Sequence, residues 1–213
     1  MILQKAVPIF ELLSVIIGFI YYKKYFNTPL KYFTFLLAIT TFIECASTFH
    51  FNKMAVNNTA VHNVLNYINY IYYFYLFYCF SKKTIHRKII FSLGIIQTIV
   101  VIINFGFLQK LGKTGVFASY TFTVGAVFLV IAIGLYIVEL LKSDEILQIK
   151  RNLMFWISSG LLIYYVGVLP SLIGVRFLPS SQLVGVSYIF FSLSIIMYSC
   201  FIFGFIWSKR LSS

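Results

Sequence analysis

Charged residues are scarce in this chain, and acidic residues are scarcer still. Only 10% of its 213 residues are charged, and five are aspartate or glutamate. Soluble domains carry about 25% charged residues. No stretch is polar and long enough to form a soluble catalytic, DNA-binding or kinase domain. These shortages exclude a soluble globular protein and favour a protein that lies within the lipid bilayer.

Cysteines and catalytic motifs are also rare. The three cysteines, Cys45, Cys79 and Cys200, lie in apolar segments without a CxxC pair, so we expect small buried apolar residues. The sequence has no Gly-x-Ser-x-Gly, HExxH or HxxxH motif. We therefore expect no metal and no cofactor, and we favour a protein that is not an enzyme.

Long apolar runs are what the chain does have. Apolar residues make up 61% of it, and its mean hydropathy is +0.93. A membrane-spanning helix needs about 20 apolar residues. Seven segments approach this length, at residues 6–22, 32–50, 62–81, 89–108, 117–141, 153–174 and 184–207. The sequence predicts an all-α polytopic membrane protein, with one seven-helix bundle over residues 1–213.

The basic residues are distributed unevenly between the connections. Those after the first, third and fifth segments, with the tail, hold 12 of the 17. They are Lys23, Lys24, Lys31, Lys82, Lys83, Arg87, Lys88, Lys142, Lys150, Arg151, Lys209 and Arg210. Because basic residues are retained on the cytoplasmic side, we predict an external amino terminus and a cytoplasmic carboxyl terminus. The net charge of +12 therefore indicates topology, and no nucleic-acid partner is expected.

The third segment carries a polar stripe that is unusual for a membrane span. At 100° per residue, one arc holds His62, Asn63, Asn66, Asn69, Tyr70 and Tyr73. The opposite side carries Val64, Ile68, Ile71, Tyr75, Leu76 and Cys79. Since amides cannot face lipid without large cost, the polar side is expected to face the interior of the bundle.

A candidate ligand site follows from the polar residues expected in the outer half of the membrane. Its predicted members are Glu44, His62, Asn66, Asn69, Tyr73, Asn104 and Glu11. Ionisable groups inside a membrane are expensive and commonly functional. The alternative is that these side chains only join helices by hydrogen bonds. Glu44 is expected at about the height of Asn66 and Asn69, as a neutral or proton-sharing carboxyl that donates a hydrogen bond into the cavity or binds a cationic ligand.

A second candidate surface lies on the side predicted to be cytoplasmic. Its members, expected to bind a signalling partner, are Lys82, Lys83, Arg87, Asp144, Glu145, Lys150 and Arg151. Ser143 followed by two acids is typical of a helix start, so the sixth helix is expected to begin there as an amphipathic extension. Glu139 lies one turn from Lys142, and an ion pair between them is expected.

Two stretches carry a resemblance to known families. Residues 139–170, ELLKSDEILQIKRNLMFWISSGLLIYYVGVLP, and residues 195–210, IIMYSCFIFGFIWSKR, resemble small, functionally uncharacterised seven-helix bacterial membrane proteins. The layout is similar to the membrane sensory region of seven-helix bacterial histidine kinases. This resemblance implies location in the bacterial cytoplasmic (inner) membrane. The kinase module is absent, so the resemblance implies a separate cytoplasmic partner.

The function expected from these features is receptor-like: an outward-facing polar pocket for a small molecule, with signalling to that partner. A small-solute or ion transporter or channel is the first alternative, and a membrane-embedded lipid-modifying enzyme is the second. Rhodopsin chemistry is excluded, since a retinal Schiff base needs a lysine inside the seventh helix. Lys209 lies beyond Trp207, so no covalent retinal is expected.

Overall fold

The computed structural model describes residues 2–46, 58–109, 118–175 and 183–209. Within these ranges the chain is helical and contains no strand, which confirms the predicted all-α class. The described residues form seven α-helices: α1 Ile2–Ile20, α2 Lys31–Ala46, α3 Asn58–Phe80, α4 Thr84–Ile103, α5 Ser119–Leu141, α6 Leu153–Val175 and α7 Leu183–Trp207. Two 3₁₀ segments, Tyr22–Lys24 and Asp144–Arg151, and a π-helical turn, Asn104–Leu108, accompany them.

Four of these helices contain apolar stretches long enough to cross a membrane. They are Thr84–Leu108, Ser119–Leu141, Leu153–Leu172 and Gly185–Trp207. The described apolar part of α1, Ala6–Ile20, is shorter, and α2 has 16 residues. The chain therefore has the helices of a membrane protein, whereas the seven spans and their orientation stay predictions.

The helices form two compact units, which we describe separately. The first unit comprises Met1–Thr41 and Leu140–Ser213, and the second comprises Phe42–Glu139. The first unit thus contains α1, most of α2, α6 and α7. The second contains the last turn of α2 together with α3, α4 and nearly all of α5.

Close helix packing holds the first unit together. α7 packs along both α6 and α1. A Cβ on Gly160 would lie 3.0 Å from the carbonyl oxygen of Met197, and one on Gly204 would lie 2.7 Å from the Cβ of Trp156. Small residues of this kind let helix backbones approach each other, which is how membrane helices gain van der Waals contact.

Two neighbouring residues, Lys24 and Tyr25, hold the connection between α1 and α2 in place by hydrogen bonds. The ammonium of Lys24 donates to the carbonyl oxygens of Phe205, Ile206 and Ser208, at 3.1, 2.8 and 3.0 Å. These carbonyls lie at the end of α7, where a helix leaves acceptors without intrahelical partners. Lys24 therefore caps a helix that is distant in sequence.

The phenol of Tyr25 is fully buried beside it. It donates to the carbonyl oxygen of Gly18 and so accepts the hydroxyl hydrogen of Thr34, at 2.7 Å. Burial raises the pKa of Tyr25 to about 12, and the hydrogen bond from Thr34 opposes part of this rise. Tyr25 is therefore a neutral hydrogen-bond donor at physiological pH.

The second unit confirms the predicted orientation of α3. Its polar arc faces inward: Asn63, Tyr70 and Tyr73 are buried. Val64, Ile68, Ile71 and Tyr75 on the opposite arc are exposed. Leu76 departs from the pattern because it is fully buried.

The expectation of three buried cysteines is wrong. Cys79 is exposed, and Cys45 and Cys200 are partly buried. Cys79 lies on the apolar arc of α3, whose other members are mostly exposed. A membrane helix can expose such a residue at little cost, since the lipid that would meet it is itself apolar.

Candidate functional site

A buried polar cluster joins α3, α4 and α5 in the second unit. We call Asn63, Tyr70, Gln97 and Thr121 the α3–α5 cluster; all four are buried. The phenol of Tyr70 donates to the carbonyl oxygen of Phe122 at 2.9 Å, and the amide of Gln97 donates to that of Thr121 at 2.9 Å. Side chains of two helices thus bind the backbone of a third.

The first turn of α5 is completed by the same cluster. The backbone N–H of Ala118, which precedes α5, donates to the amide oxygen of Asn63 at 3.0 Å. The hydroxyl of Thr121 donates to the carbonyl oxygen of Ala118 at 2.8 Å. Because the first N–H groups of a helix have no intrahelical acceptor, Asn63 satisfies a group that burial would otherwise penalise.

The cluster requires a glycine on α5. A Cβ on Gly125 would lie 2.8 Å from the side-chain nitrogen of Gln97 and 2.8 Å from the ring of Tyr70. Real Cβ atoms do not approach other atoms so closely. Gly125 therefore provides the space in which both side chains reach the α5 backbone.

A small cavity lies within the cluster. Asn63, Asn66, Tyr70, Gln97 and Thr121 are among the residues that line it, and its volume is ≈ 10 Å³, enough for about one water molecule. The amide oxygen of Gln97 is buried and has no hydrogen-bond donor among the described residues. A water molecule in this cavity would be hydrogen-bonded by amides and hydroxyls.

Asn104 lies seven residues beyond Gln97, where α4 changes to a π-helical turn. It is fully buried, and its amide donates to the side-chain oxygen of Gln109 at 3.0 Å. The amide of Gln109 in turn donates to the hydroxyl of Ser119 at 3.3 Å. This relay connects the end of α4 to the start of α5. π-Helical turns are rare and occur frequently at functional sites.

The predicted ligand-binding residues fall in both units. His62, Asn66 and Asn69 are partly buried on α3, and Tyr73 is buried one turn further along. Asn66 lines the small cavity, and the amide oxygen of Asn69 is buried without a donor among the described residues. Glu44 is partly buried near the end of α2. Its contact with Asn66 and Asn69 stays a prediction.

Glu11 lies in the first unit, on α1. Its side chain is fully buried, and one carboxyl oxygen accepts a hydrogen bond from the phenol of Tyr198 on α7. One turn away, the hydroxyl of Ser14 donates to the Glu11 carbonyl oxygen at 2.7 Å. The structure thus gives this carboxyl a tyrosine partner on a helix distant in sequence, which the spacing of polar residues did not predict.

The predicted partner-binding residues include Lys82 and Lys83, between α3 and α4, and Arg87 in the first turn of α4. Their side chains are exposed, and the guanidinium of Arg87 lies 4.4 Å from the ring centroid of Tyr78. This distance is typical of a cation–π contact.

Glu139 lies beside that connection, and its predicted ion pair with Lys142 is wrong. Its carboxyl oxygens accept the backbone N–H groups of Lys82 and Lys83, at 2.6 and 3.2 Å, and one lies 2.6 Å from Nδ1 of His86. The reason is that α4 begins at Thr84 without a side-chain cap of its own. A carboxylate is stabilised at a helix amino terminus.

The other predicted partner-binding residues, Asp144, Glu145, Lys150 and Arg151, form a separate 3₁₀ segment. The predicted continuous start of the sixth helix at Ser143 is wrong. Backbone angles of φ −121° and ψ 25° at Gln148 interrupt the helix, and α6 begins at Leu153. Asn152 caps α6 by accepting the N–H of Phe155 at 3.2 Å. The hydroxyl of Ser143 does not cap but donates back to Leu140.

The segment is held against the ends of α6 and α7. The indole of Trp156 donates to the carbonyl oxygen of Lys150 at 2.9 Å, and the backbone N–H of Lys209 donates to that of Arg151 at 3.0 Å. Asp144, Lys150 and Arg151 are exposed, whereas the side chain of Glu145 lies outside the described part. Leu147 is 88% exposed.

Sequence analysis overlooked several members of the observed site. Asn63 and Tyr70 were on the predicted polar arc of α3 but were not among the predicted ligand-binding residues. Gln97 was not predicted either, although it lies seven residues before Asn104 in the sequence and hence on the same face of α4. No local sequence pattern predicted the contacts of Gly125, Thr121 or His86. Comparison of the chain with protein-family models, curated proteins and solved structures finds no match.

Proposed function

We propose that this protein is a receptor-like, sensory protein of the bacterial inner membrane that binds a small polar molecule and signals to a separate cytoplasmic partner. The observation that carries this proposal is the hydrogen-bond relay Asn104–Gln109–Ser119 at the π-helical turn. It joins the buried amide of Asn104 to Ser119 at the point where α-helical pairing changes to π-helical pairing.

Seven spans are part of the proposal. The structure turns the polar stripe of α3 inward, so this helix can lie in a bilayer although its hydropathy is lower than that of α4 or α5. The basic asymmetry of 12 to 5 places the ends of α4 and α5 near Asn104 and Ser119 on the outer side. A small molecule outside the cell would then reach this end first.

The ligand would be recognised by amides and hydroxyls. The buried amide oxygens of Asn104 and Asn69 have no donor among the described residues, so they favour a ligand that donates hydrogen bonds. Binding would change the balance between π-helical and α-helical pairing at Asn104–Leu108. A ligand can shift such an equilibrium only by the difference between its affinities for the two states.

The partner surface is the 3₁₀ segment Asp144–Arg151. It exposes charges of both signs around the apolar side chain of Leu147. Exposed apolar groups surrounded by polar residues are typical of interaction sites. Two hydrogen bonds to the ends of α6 and α7 fix this surface in place.

A ligand screen on the purified full chain tests the receptor proposal. Free amino acids, monosaccharides and polyamines are the probes, and the thermal midpoint in mild detergent is the readout. We expect one class of compound to raise the thermal midpoint of the wild type saturably. Asn104→Ala is expected to weaken this effect, whereas Ser159→Ala is expected to leave it unchanged. Among the described residues, Ser159 bonds within its own helix, to the carbonyl oxygen of Phe155. No saturable shift by any class, or an equal shift in Asn104→Ala, contradicts the proposal.

A transporter is the second candidate, and the buried carboxyl of Glu11 favours it. Ionisable side chains inside a membrane commonly line ion or proton paths. Transport assays in proteoliposomes distinguish a transporter from a receptor. A pH-sensitive dye inside the vesicles measures proton flux, and the radiolabelled form of the stabilising compound measures its uptake. Saturable flux that Glu11→Gln abolishes identifies a transporter, whereas binding without flux supports a receptor.

A reporter fusion tests the topology independently. A carboxyl-terminal fusion to a reporter that is active only in the cytoplasm is expected to be active. Activity of a periplasm-dependent reporter at this position contradicts the proposed orientation.

A further inference from the structure

An apolar cleft lies between α3 and α4 in the second unit. Its volume is ≈ 370 Å³, within the range of about 300–1,000 Å³ that is typical of ligand pockets. Its walls are Ile71, Phe74, Tyr75 and Tyr78 on α3 and Ile90, Phe91, Gly94, Ile95 and Thr98 on α4. The cleft follows each helix for about two turns.

The polar atoms of Thr98, at one end of the cleft, are already engaged. Its hydroxyl donates to the carbonyl oxygen of Gly94 at 2.9 Å and accepts from the phenol of Tyr67 at 3.4 Å. Phe91 and Ile95 present exposed carbon surfaces along the same wall. The cleft therefore suits a hydrocarbon chain better than a polar ligand.

The other end of the cleft carries positive charge. Arg87 and Phe91 are four residues apart, so they lie on one face of the start of α4. Lys83 directly precedes α4, and its carbonyl oxygen accepts the backbone N–H of Arg87 at 3.0 Å. Arg87 lies over the ring of Tyr78, a residue of the cleft wall, at 4.4 Å. Neither Lys83 nor Arg87 pairs with a carboxylate among the described residues.

The nearby acidic group does not neutralise this end. Glu139 is buried, and its carboxyl is occupied by the N–H groups of Lys82 and Lys83 and by His86. It approaches the backbone of the connection rather than the guanidinium of Arg87. The two cationic side chains thus remain open to an anion outside the protein.

We infer that the α3–α4 cleft is a binding site for one anionic phospholipid, with an acyl chain along the cleft and its phosphate at Arg87 and Lys83. An acyl chain is complementary to the apolar walls, and a phosphate is complementary to the cationic end. Arg binds phosphate with paired N–H donors, and basic residues between membrane helices commonly bind anionic head groups. The inference goes beyond the sensory function and does not depend on it.

The positive charge at one end distinguishes this cleft from an ordinary lipid contact. Any crevice between membrane helices is filled by lipid, and such filling would not discriminate between head groups. The aligned cations predict discrimination, since each basic residue near a lipid surface contributes about 1 kcal/mol, or about fivefold in affinity.

The test uses the purified full chain in detergent. Phosphatidylglycerol, phosphatidylcholine with the same acyl chains, and glycerol phosphate are added separately, while native mass spectrometry and the thermal midpoint are recorded. We expect one phosphatidylglycerol to be retained per chain with a saturable rise in the midpoint. Phosphatidylcholine is expected to bind at least about fivefold more weakly, and glycerol phosphate is expected to have no effect.

Three variants sharpen the result. Arg87→Gln is expected to weaken phosphatidylglycerol binding at least about fivefold, whereas Lys88→Gln, an exposed neighbour one residue along the helix, retains it. Gly94→Leu should abolish retention by filling the cleft. A Cβ there meets carbon atoms of Phe74 at 3.6 Å, an ordinary contact, so the helix pair is expected to fold, which circular dichroism checks.

The contradicting outcomes are equally specific. Equal retention of both lipids, or unchanged binding by Arg87→Gln, shows non-specific lipid. Stabilisation by glycerol phosphate alone shows a phosphate site without a chain. A dimer that retains no lipid and is lost in Gly94→Leu shows that a second copy occupies the cleft. Each of these results overturns the inference.

Discussion

The two units are held together in different ways. In the first unit, α6 and α7 approach closely at Gly160 and Gly204, and aromatic rings such as Phe33 and Phe201 meet edge to face with centroids 5.1 Å apart. In the second unit, the side chains of the α3–α5 cluster bind the backbone of α5.

This contrast reflects two solutions to one problem. Membrane helices gain little from the hydrophobic effect between them, so they associate by close van der Waals packing or by interhelical hydrogen bonds. The first unit combines close packing with the hydrogen bonds of Lys24 and Tyr198. In the second unit, the polar groups that bind the α5 backbone also leave space for a water molecule. The proposed ligand response is placed there for this reason.

Substitution of the glycine that admits the cluster is expected to have the largest effect. Gly125→Ala places a methyl group 2.8 Å from both Gln97 and Tyr70 and so displaces two buried hydrogen bonds. We expect a loss of about 3 kcal/mol in the free energy of unfolding.

Gly134→Ala, on the same helix, is the matched control for that variant. Among the described residues, no atom outside its own helical turn lies within 4 Å of a Cβ there. Thermal unfolding in mild detergent measures both variants. Equal midpoints for the two would show that the cluster does not stabilise the second unit.

The corresponding test of the first unit is expected to have a somewhat smaller effect. Gly204→Ala places a methyl group 2.7 Å from the Cβ of Trp156, and overpacking of this kind costs about 1–3 kcal/mol. Gly185→Ala is on the same helix, and no atom of the described residues outside its own helical turn lies within 4 Å of a Cβ there, so this variant should be neutral or slightly stabilising.

The fluorescence of Trp156 and Trp207, the two tryptophans of the chain, reports unfolding of the first unit. Their ring centroids lie 5.8 Å apart, close to Gly204. A Gly204→Ala variant as stable as Gly185→Ala would show that α6 and α7 do not need this close approach.

Substitutions of Glu11, in the first unit, test whether its hydrogen bond with Tyr198 contributes to the free energy of unfolding in addition to packing. Glu11→Leu leaves the phenol of Tyr198 without its acceptor and is expected to cost about 1–3 kcal/mol. Glu11→Gln keeps an acceptor oxygen and should cost less. A double-mutant cycle with Tyr198→Phe measures the coupling, expected near 0.6 kcal/mol. Zero coupling would make the bond incidental.

The smallest expected effect concerns the α1–α2 connection. Tyr25→Phe removes the donor to Gly18 and the acceptor of Thr34, a loss of about 1 kcal/mol at pH 7. The folded pKa of Tyr25, about 12, is above the ordinary value of 10.0. The unfolded phenol therefore ionises first, and the stability that Tyr25 contributes is complete below pH 10 and is lost as the pH rises through about 12.

The wild type should accordingly lose its advantage over Tyr25→Phe between these pH values, as measured by the difference in thermal midpoint. Because the other tyrosines are common to both proteins, the difference isolates Tyr25. A difference that stays constant up to pH 12 contradicts the burial of this phenol.

The sequence by itself determined the helices and the inward face of α3. Hydropathy and a 100° periodicity are local properties, and a polar stripe has to face the protein wherever the neighbouring helices lie. Asn104 could be selected for a related reason, since it is a polar residue within an otherwise apolar segment.

Only the tertiary structure decided which groups meet. Glu139 lies at the start of α4 rather than beside Lys142, because this carboxylate from α5 accepts the backbone N–H groups of Lys82 and Lys83, directly before α4. Lys24 caps α7, Tyr198 reaches Glu11, and Gly125 admits Gln97 and Tyr70. Each of these contacts joins residues far apart in the chain, and its strength depends on distances of a few ångströms that no local pattern of residues specifies.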